Sequence, residues 1–408
     1  MFLSHFICGG EHMLHYQYLI VGGGMTAESA VRGIREVDPH GPIGLISQEP
    51  DPPYNRPPLT KALWKGKALD TIWRKTDNEG VEFYLGCTVQ ALDARNKRVD
   101  THDVSYTFDK LLLATGGSPR RLPFGDDRII YFRTLADYKR LRELAIPGKK
   151  LAVIGGGFIG SEIAAGLALN DIHVVMIFPG AGIGDRVFPL ELSQFLNTFY
   201  RDKGVEVLAE TTVTGLEVLS QQLALKVRDN QTTNEREILV DGVVAGLGLE
   251  PNVDLARMVD LEVDNGIVVD EFLRTRHPDI YAAGDVAAFY NPALGKRLRV
   301  EHEDNANTMG KFAGRAMAGQ PEKYTHLPFF YSDLFELGYE AVGELDARLE
   351  TVVDWKEPNQ QGVIYYLKDQ RVRGVLLWNV WKQLEAARQL IAEPGPFHAD
   401  NLKGRLPA

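Results

Sequence analysis

The chain contains little cysteine, since only Cys8 and Cys87 occur among its 408 residues. Two cysteines so far apart exclude a disulfide framework, a C-x-x-C redox motif and a cysteine metal cage, and no metal site is expected. Any redox chemistry must therefore come from a bound cofactor. The sequence also lacks a run of about 18 or more apolar residues, which argues against a membrane-spanning helix.

An excess of basic charge is absent too, because 45 Lys and Arg residues face 55 Asp and Glu residues and leave a net charge of −10. This balance argues against a nucleic-acid or anionic-membrane surface spread over the molecule. Residues 1–13 lack the basic stretch of a secretory signal, and we predict that they form an N-terminal tail. Without a signal, disulfides or a membrane span, the protein is expected to be cytoplasmic.

What the sequence does contain is a duplicated glycine motif. In the first copy, apolar residues 18–21 run into G-x-G-x-x-A, and in the second copy residues 151–154 run into G-x-G-x-x-G. Each motif precedes helical spacing and a second apolar segment, Ile43–Ser47 or His173–Ile177, so each copy predicts a βαβ unit. The glycines permit a tight turn and bring backbone N–H groups close to a pyrophosphate. The two copies predict two dinucleotide sites, with contacts from Gly22, Gly24 and Ala27 in the first copy and from Gly156, Gly157, Phe158 and Ile159 in the second.

The two copies differ at the position that binds the adenosine ribose. Glu49 follows the second strand of the first copy, where a carboxylate accepts hydrogen bonds from both ribose hydroxyls. The second copy has no acid over residues 178–182, and its nearest charges are Asp185 and Arg186. Arg186 could hold a 2′-phosphate, contact a pyrophosphate or face water. Because no cluster of arginines replaces the acid, we favour NADH over NADPH.

Two further apolar strands end in glycine turns, one over residues 110–117 and one over residues 280–286. Asp285 directly follows Gly284 at the carboxyl end of its strand, which is the edge where open α/β sheets bind ligands. We therefore predict that Asp285 contacts the sugar chain of the dinucleotide bound to the first copy.

Together with the segment PYNRPPLTK at residues 53–61, these motifs resemble those of the two-dinucleotide flavoprotein reductases. Further segments are similar to the apoptosis-inducing factor branch of that superfamily, namely FIGSE at 158–162, GLGLEPN at 246–252, VEHED at 300–304, YSDL at 331–334, GYE at 338–340 and VLLWN at 375–379. The resemblance implies FAD in the first copy and NADH or NADPH in the second. A role in cell death is not implied, because residues 354–362 lack the long insertion of the animal proteins.

The resemblance also assigns roles to single residues. Lys61 and Glu162 are implied to be the catalytic pair at the flavin, and His302 is implied to contact the flavin's polar edge from the start of a helix. Phe158 is implied to stack on the nicotinamide with Tyr331 opposite. The remaining positions that we expect to bind a cofactor are Arg56, Val89, Arg133, Gly248, Glu301, Glu340 and Asn379.

We predict an α/β fold with two Rossmann-like dinucleotide-binding domains and a C-terminal α+β domain. The FAD-binding domain is expected at residues 14–119 and 249–325, split around an NAD(P)H-binding domain at 120–248, and the C-terminal domain at 326–408. Alternation in this last region predicts strands at 338–345, 349–355, 362–368 and 372–379, a turn at Asp369 and Gln370, and a helix from about Leu384. The resemblance implies that this domain serves dimerisation or partner binding, so a homodimer is one expectation.

The predicted activity is that of an FAD-dependent NAD(P)H oxidoreductase, which passes a hydride from NADH to FAD and then electrons to an external acceptor. The acceptor stays open among an iron–sulfur protein, a quinone and dioxygen, while a disulfide substrate carried in the chain is excluded. One alternative is a redox-sensing NADH-binding module that changes dimerisation or partner docking. Another is the ferredoxin reductase component of an electron-transfer chain, which predicts docking at Lys296, Arg297 and Arg299.

Overall fold

The structure, a computed structural model, describes residues 13–407. Residues 1–12 of the predicted tail lie outside the described residues, and Met13 begins the first strand. The strands in chain order are β1 Met13–Val21, β2 Ile43–Ser47, β3 Val81–Leu85, β4 Ala91–Asp93, β5 Arg98–Asp100, β6 Ser105–Leu113, β7 Gly117–Pro119, β8 Ile129–Tyr131, β9 Lys150–Ile154, β10 His173–Ile177, β11 Glu206–Leu208, β12 Thr211–Val218, β13 Leu223–Asp229, β14 Glu235–Val240, β15 Gly242–Ala245, β16 Leu249–Pro251, β17 Val263–Asp264, β18 Gly266–Val268, β19 Ile280–Ala282, β20 Ala287–Asn291, β21 Lys296–Leu298, β22 Phe329–Leu334, β23 Leu337–Gly343, β24 Glu350–Glu357, β25 Gln361–Lys368 and β26 Arg371–Trp378. The helices are α1 Met25–Arg35, α2 Leu135–Leu144, α3 Phe158–Ala168, α4 Leu190–Asp202, α5 Asp254–Met258, α6 Glu303–Met317, α7 Leu384–Ala392 and α8 Ala399–Leu402.

The first copy of the glycine motif lies in a seven-stranded sheet of order β3-β2-β1-β6-β5-β4, in which β19 also pairs with β6. Strands β1, β2, β3, β6 and β19 are parallel, so their carboxyl ends meet at one edge. Helix α1 packs closely on α6, because a Cβ at Gly33 would lie 2.2 Å from the carbonyl oxygen of Lys311 and one at Gly310 would lie 2.3 Å from that of Thr26. This close packing brings the start of α6 beside the start of α1.

The second copy lies in a five-stranded parallel sheet of order β11-β10-β9-β15-β8. The predicted second strands of both copies are confirmed with their predicted bounds, as β2 and β10. Strands β12, β13 and β14 form a separate antiparallel sheet on this domain, which the sequence analysis did not predict. A four-stranded sheet, β17-β18-β20-β21, flanks the first domain.

The chain crosses between the two parallel sheets twice, and the two crossing strands, β7 and β16, pair with each other in antiparallel fashion. The predicted domain boundaries at residues 119/120 and 248/249 fall at this pair, and the boundaries themselves stay predictions. Two Rossmann-like domains and a C-terminal α+β domain confirm the predicted fold class.

The C-terminal sheet has five antiparallel strands in the order β22-β23-β26-β25-β24, and α7 packs on β23 and β26. The four predicted strands and the predicted helix are confirmed, with ends shifted by at most two residues. The predicted turn is also present, since Asp369 and Gln370 have φ of 51° and 55° and join β25 to β26. Strand β22, which contacts α3 and α6, was not predicted. Within residues 13–407, no helix has the length and apolar character needed to cross a bilayer.

Candidate functional site

The first glycine of each motif sits in a turn that only glycine can form. Gly22 has φ +126° and Gly155 has φ +117°, and L side chains rarely adopt either conformation. A Cβ at Gly22 would lie 2.1 Å from the carbonyl oxygen of Ala114, and one at Gly155 would lie 2.4 Å from that of Gly246. The strand-to-helix turn therefore has the same backbone geometry in both copies.

The last glycine of each run of three, at residues 22–24 and 155–157, borders open space at a helix start. Gly24 precedes α1 and Gly157 precedes α3, and a Cβ built on either would meet no atom within 4 Å. The unpaired N–H groups of a helix start attract an anion there. Ala27 is buried behind the first cradle, whereas Ile159 is 40% exposed beside the second. Both cradles thus fit the pyrophosphate of a dinucleotide.

Four residues predicted at the first dinucleotide form one hydrogen-bonded chain. Tyr54 donates its hydroxyl to Oε2 of Glu49 at 2.5 Å, and Arg56 forms an ion pair with the same carboxylate. Nη1 of Arg56 also donates to the carbonyl oxygen of Arg133 at 2.9 Å. Arg133 in turn pairs with Oδ2 of Asp285 at 2.7 Å. The fold therefore gathers predicted residues from four separate segments at the carboxyl edge of the first sheet.

Three other predicted cofactor positions lie around this chain. Val89 is half-buried against the core of the first domain, and Gly248 has φ +84° at the domain crossing. Glu301 pairs with Arg299 at 2.6 Å, and the guanidinium of Arg299 also donates to the carbonyl oxygen of Asp285 at 3.1 Å. Glu301 is thus linked through Arg299 to Asp285, which stands at one end of the hydrogen-bonded network described above.

The same contacts bear on the predicted docking surface. The side chain of Arg299 is only 8% exposed and pairs with Glu301. Lys296 pairs with Glu344, whereas the exposed Arg297 donates to two backbone carbonyls and has no acidic partner among residues 13–407. Docking at these three residues stays a prediction.

The predicted catalytic pair is formed and buried. Pro57 and Pro58 fix the backbone of a 3₁₀ turn, at whose end Nζ of Lys61 lies 2.6 Å from Oε1 of Glu162 on α3. The side chains of Lys61 and Glu162 are 12% and 3% exposed. A carboxylate this buried needs several donors, and hydroxyls of Thr60 and Ser332 each donate to it at 2.5 Å. The second copy, the 53–61 segment and strand β22 therefore meet at Glu162.

Tyr331 lies over this pair on the adjoining strand. Nζ of Lys61 is 5.1 Å from the centre of the Tyr331 ring, whose hydroxyl donates to Oε2 of Glu303 at 3.1 Å. Glu340 is directly opposite Tyr331 in the β22–β23 ladder. Oε2 of Glu340 is buried without a hydrogen-bond partner within residues 13–407, and burial raises the pKa of this carboxyl. An orphaned oxygen on the residue opposite Tyr331 fits a group that accepts a hydrogen bond from a ligand.

Phe158 and His302 meet in an aromatic cluster. The ring of His302 stacks on Phe330 with centres 4.4 Å apart, and the ring of Phe158 lies 5.3 Å from Phe330 and 6.1 Å from His302. Burial lowers the pKa of His302 to about 4, so the imidazole is neutral near pH 7. The aromatic neighbour of Phe158 on β22 is thus Phe330, whereas the expected Tyr331 covers Lys61.

Two residues that were predicted to bind the nicotinamide dinucleotide, Asn379 and Arg186, lie away from the Lys61–Glu162 pair in their recorded contacts. Asn379 accepts from the backbone N–H of Gly338 and donates to the carbonyl oxygen of Gln360, both at 2.7 Å, so its amide is committed to the C-terminal fold. Arg186 is exposed on the loop after β10. Its backbone carbonyl accepts from Ala347, which ties this loop to the C-terminal domain.

The sequence analysis did not single out Thr60, Phe330 or Ser332. Thr60 and Ser332 adjoin predicted residues in the chain, but neither type signals a partner for a distant carboxylate. The signal that could have found them is the buried Glu162, because a buried carboxylate requires more donors than one lysine supplies.

The chain is similar to known proteins over most of its length. A family described as "Pyridine nucleotide-disulphide oxidoreductase" matches residues 16–310, and one described as "Apoptosis-inducing factor, mitochondrion-associated, C-term" matches residues 313–361 and 353–393. The chain is similar to apoptosis-inducing factor 1 of Dictyostelium discoideum, with 36% identity over 92% of this chain and 78% of that protein. It is also similar to putidaredoxin reductase of Pseudomonas putida, with 30% identity over 94% of this chain and 93% of that protein. Among solved structures, the covalent putidaredoxin reductase–putidaredoxin complex contains a chain that matches with a TM-score of 0.87 and 30% identity, covering 95% of both chains.

Proposed function

Because the chain belongs to the pyridine nucleotide-disulphide oxidoreductase family, we propose that it oxidises NADH and delivers the electrons to a small iron–sulfur protein. The general activity is that of an FAD-dependent NAD(P)H oxidoreductase which donates electrons to an acceptor. When bound, FAD supplies the chemistry of accepting a hydride from a nicotinamide and releasing the electrons onward. The residues of the first copy, from Gly24 to the Glu49–Asp285 chain, would hold it.

One observation supports the reaction most strongly, namely the buried pair of Lys61 and Glu162. Glu162 stands on α3, the helix that begins at the second cradle, and its carboxylate holds in one orientation the ammonium of Lys61, which belongs to the same segment as Arg56 of the first site. Thr60 and Ser332 fix the carboxylate from two other segments. A preorganised charge of this kind stabilises negative charge that develops during hydride transfer without further rearrangement.

The aromatic residues can exclude water from the same place. Phe158, Phe330 and His302 form a continuous apolar wall, and His302 is neutral at the start of α6. A wall of this kind strengthens the electrostatic effect of Lys61 because it lowers the local dielectric. It also hinders the direct access of an unwanted acceptor.

The choice of an iron–sulfur acceptor rests on the relatives. Putidaredoxin reductase and the anthranilate 1,2-dioxygenase ferredoxin–NAD(+) reductase component of Burkholderia cepacia both match over at least 92% of this chain. The test is to reduce the FAD-loaded protein with NADH and to follow electron transfer to a [2Fe–2S] ferredoxin, a quinone and dioxygen in turn. Fast, saturable reduction of the ferredoxin supports the proposal, and transfer to the quinone or dioxygen alone contradicts it.

The second candidate is a redox-sensing module that changes partner docking, and one contact network favours it. Asp304 on α6 binds Nε2 of His326 at 2.5 Å and the guanidinium of Arg388 on α7 at 3.4 Å. This network joins the cofactor-facing helix to the C-terminal domain, which matches the apoptosis-inducing factor model. Slow turnover with every acceptor, together with a change of oligomeric state on reduction, would favour this candidate. A homodimer and a cytoplasmic location stay predictions.

A further inference from the structure

The two sheets allow the ribose positions of the two copies to be compared residue by residue. Val21 pairs with Ile46 in the first copy, and Ile154 pairs with Ile177 in the second. The backbone N–H of Gly22 donates to the carbonyl oxygen of Ile46 at 2.8 Å, and that of Gly155 donates to Ile177 at 2.9 Å. Three residues beyond these partners stand Glu49 and Gly180. Gly180 therefore occupies the position at which the first copy carries its ribose-binding carboxylate.

A carboxylate nevertheless fills the place of the missing side chain. A Cβ built on Gly180 would lie 1.9 Å from Oδ2 and 2.7 Å from Cγ of Asp185. No side chain other than glycine at position 180 leaves room for that group. The carboxylate that occupies this place comes from a residue five positions later, which folds back over the glycine.

The loop holds Asp185 in this position from several sides. Oδ2 of Asp185 accepts from the backbone N–H of Ala181 at 3.0 Å. The buried amide of Asn197 on α4 donates to Ala181 at 2.9 Å and accepts from the N–H of Ile183 at 3.1 Å. Gly184 donates to the carbonyl oxygen of Gly156 at 2.8 Å, which fastens the loop to the second glycine motif. Oδ1 of Asp185 accepts no hydrogen bond from any residue within 13–407, so one carboxylate oxygen remains for a ligand.

We propose that Asp185 binds the adenosine ribose of NADH and selects against NADPH, in place of the acid that Gly180 lacks. This inference rests on the proposed function, because it concerns the nucleotide donor of that reaction. A carboxylate accepts the 2′- and 3′-hydroxyls of NADH, whereas it repels the 2′-phosphate of NADPH. Arg186 is exposed next to it and is a single cation, so it does not reverse that preference.

The variant Asp185→Asn tests this assignment, because asparagine can still accept from Ala181 but carries no charge. We expect the dissociation constant of NADH, measured by fluorescence titration, to rise about tenfold, as for the loss of a charge-assisted hydrogen bond. The dissociation constant of NADH should change more than the rate of flavin reduction at saturating NADH, and the preference over NADPH should shrink. Arg186→Ala is the matched control, with NADH binding within about twofold of wild type.

A rescue experiment separates ribose binding from a merely structural role. Gly180→Ala should weaken NADH binding as Asp185→Asn does, because the new methyl group displaces the carboxylate. Asp185→Ala clears that space, and the double variant Gly180→Glu with Asp185→Ala should restore tight NADH binding. Wild-type binding by Asp185→Asn, or a double variant no better than Asp185→Ala alone, overturns the assignment. If the wild-type protein binds NADH tightly but passes no electrons to any acceptor, the proposed function fails while this assignment stands.

Discussion

The two glycine motifs share a backbone but differ in the side chains that surround it. Gly22 and Gly155 have nearly the same φ, and Gly24 and Gly157 border the same open space. Around them, Glu49 is held by Tyr54 and Arg56 in the first copy, whereas a folded-back loop supplies the carboxylate in the second. Backbone geometry thus fixes the strand-to-helix turn in both copies, while the polar side chains around it differ without a change of fold.

The helices that follow the motifs differ in a second way. Ser29 on α1 and Glu162 on α3 stand at the same distance from Gly22 and Gly155 along the chain. Ser29 makes only long hydrogen bonds of 3.3 Å with its neighbours, whereas Glu162 binds Lys61 and two hydroxyls within 2.6 Å. The helix of the second copy therefore carries a buried carboxylate with three close partners, whereas the equivalent position of the first copy carries a weakly bonded hydroxyl.

The largest expected effect on cofactor retention comes from the turn glycines. Gly22→Ala should abolish FAD retention and destabilise the first domain by about 1–3 kcal/mol or more, because it adds a disfavoured φ to a clash with Ala114. Flavin absorbance after gel filtration and chemical denaturation measure the two effects.

Gly24 and Gly157 sharpen this test, since a Cβ added at either position would meet no protein atom within 4 Å. Gly24→Ala should leave the apoprotein as stable as wild type and still weaken FAD binding, whereas Gly157→Ala should keep FAD and weaken NADH binding. If Gly24→Ala retained FAD normally, the first cradle would not be the pyrophosphate site.

The next effect concerns the helix position shared by Ser29 and Glu162. Glu162→Ala should cost about 3–5 kcal/mol of unfolding free energy, because Lys61 is left buried without its counter-charge. It should also slow flavin reduction by NADH. Ser29→Ala, the control at the equivalent position, should change stability by less than about 1 kcal/mol. Equal effects of the two substitutions in urea denaturation would contradict the comparison.

A smaller effect should appear as a pH dependence. The unfolded chain protonates His302 near its usual pKa of 6.5, whereas the folded protein resists protonation down to about 4 because the ring is buried. His302 therefore costs the folded state stability as the pH falls from 6.5 to 4, by at most about 3 kcal/mol. His302→Asn should flatten this part of the stability curve. His173→Asn, at the exposed start of β10, should leave it unchanged.

The smallest effect is expected at Arg186. Arg186→Ala should change the Michaelis constants for NADH and NADPH by less than about twofold, because the residue is exposed and isolated. A selective loss of NADPH use, measured by steady-state kinetics, would show that this arginine holds a 2′-phosphate.

Much of the fold could be predicted from the sequence because it depends on local patterns. Glycine spacing, apolar runs and alternation predicted both βαβ units, and the Asp369–Gln370 turn follows from residues that tolerate positive φ. The β12–β14 sheet was not predicted, since its strands mix exposed charges with buried residues on a surface that has no strong alternation signal.

The site was less predictable where contacts join distant segments. Glu162 could be singled out, but its partner Ser332 lies 170 residues away and is placed only by tertiary packing. Likewise, the sequence shows that residue 180 is a glycine and not an acid. It does not show that the carboxylate of Asp185 lies over Gly180, because that placement depends on the contacts of the folded loop with Asn197 and Gly156.

We propose that FAD in the first copy and NADH in the second meet beside the Lys61–Glu162 pair. An anaerobic titration of the FAD-loaded protein with NADH and, separately, with NADPH tests this most directly. We predict that NADH bleaches the flavin absorbance completely and at lower concentration than NADPH. A flavin that neither nucleotide bleaches would contradict this proposal.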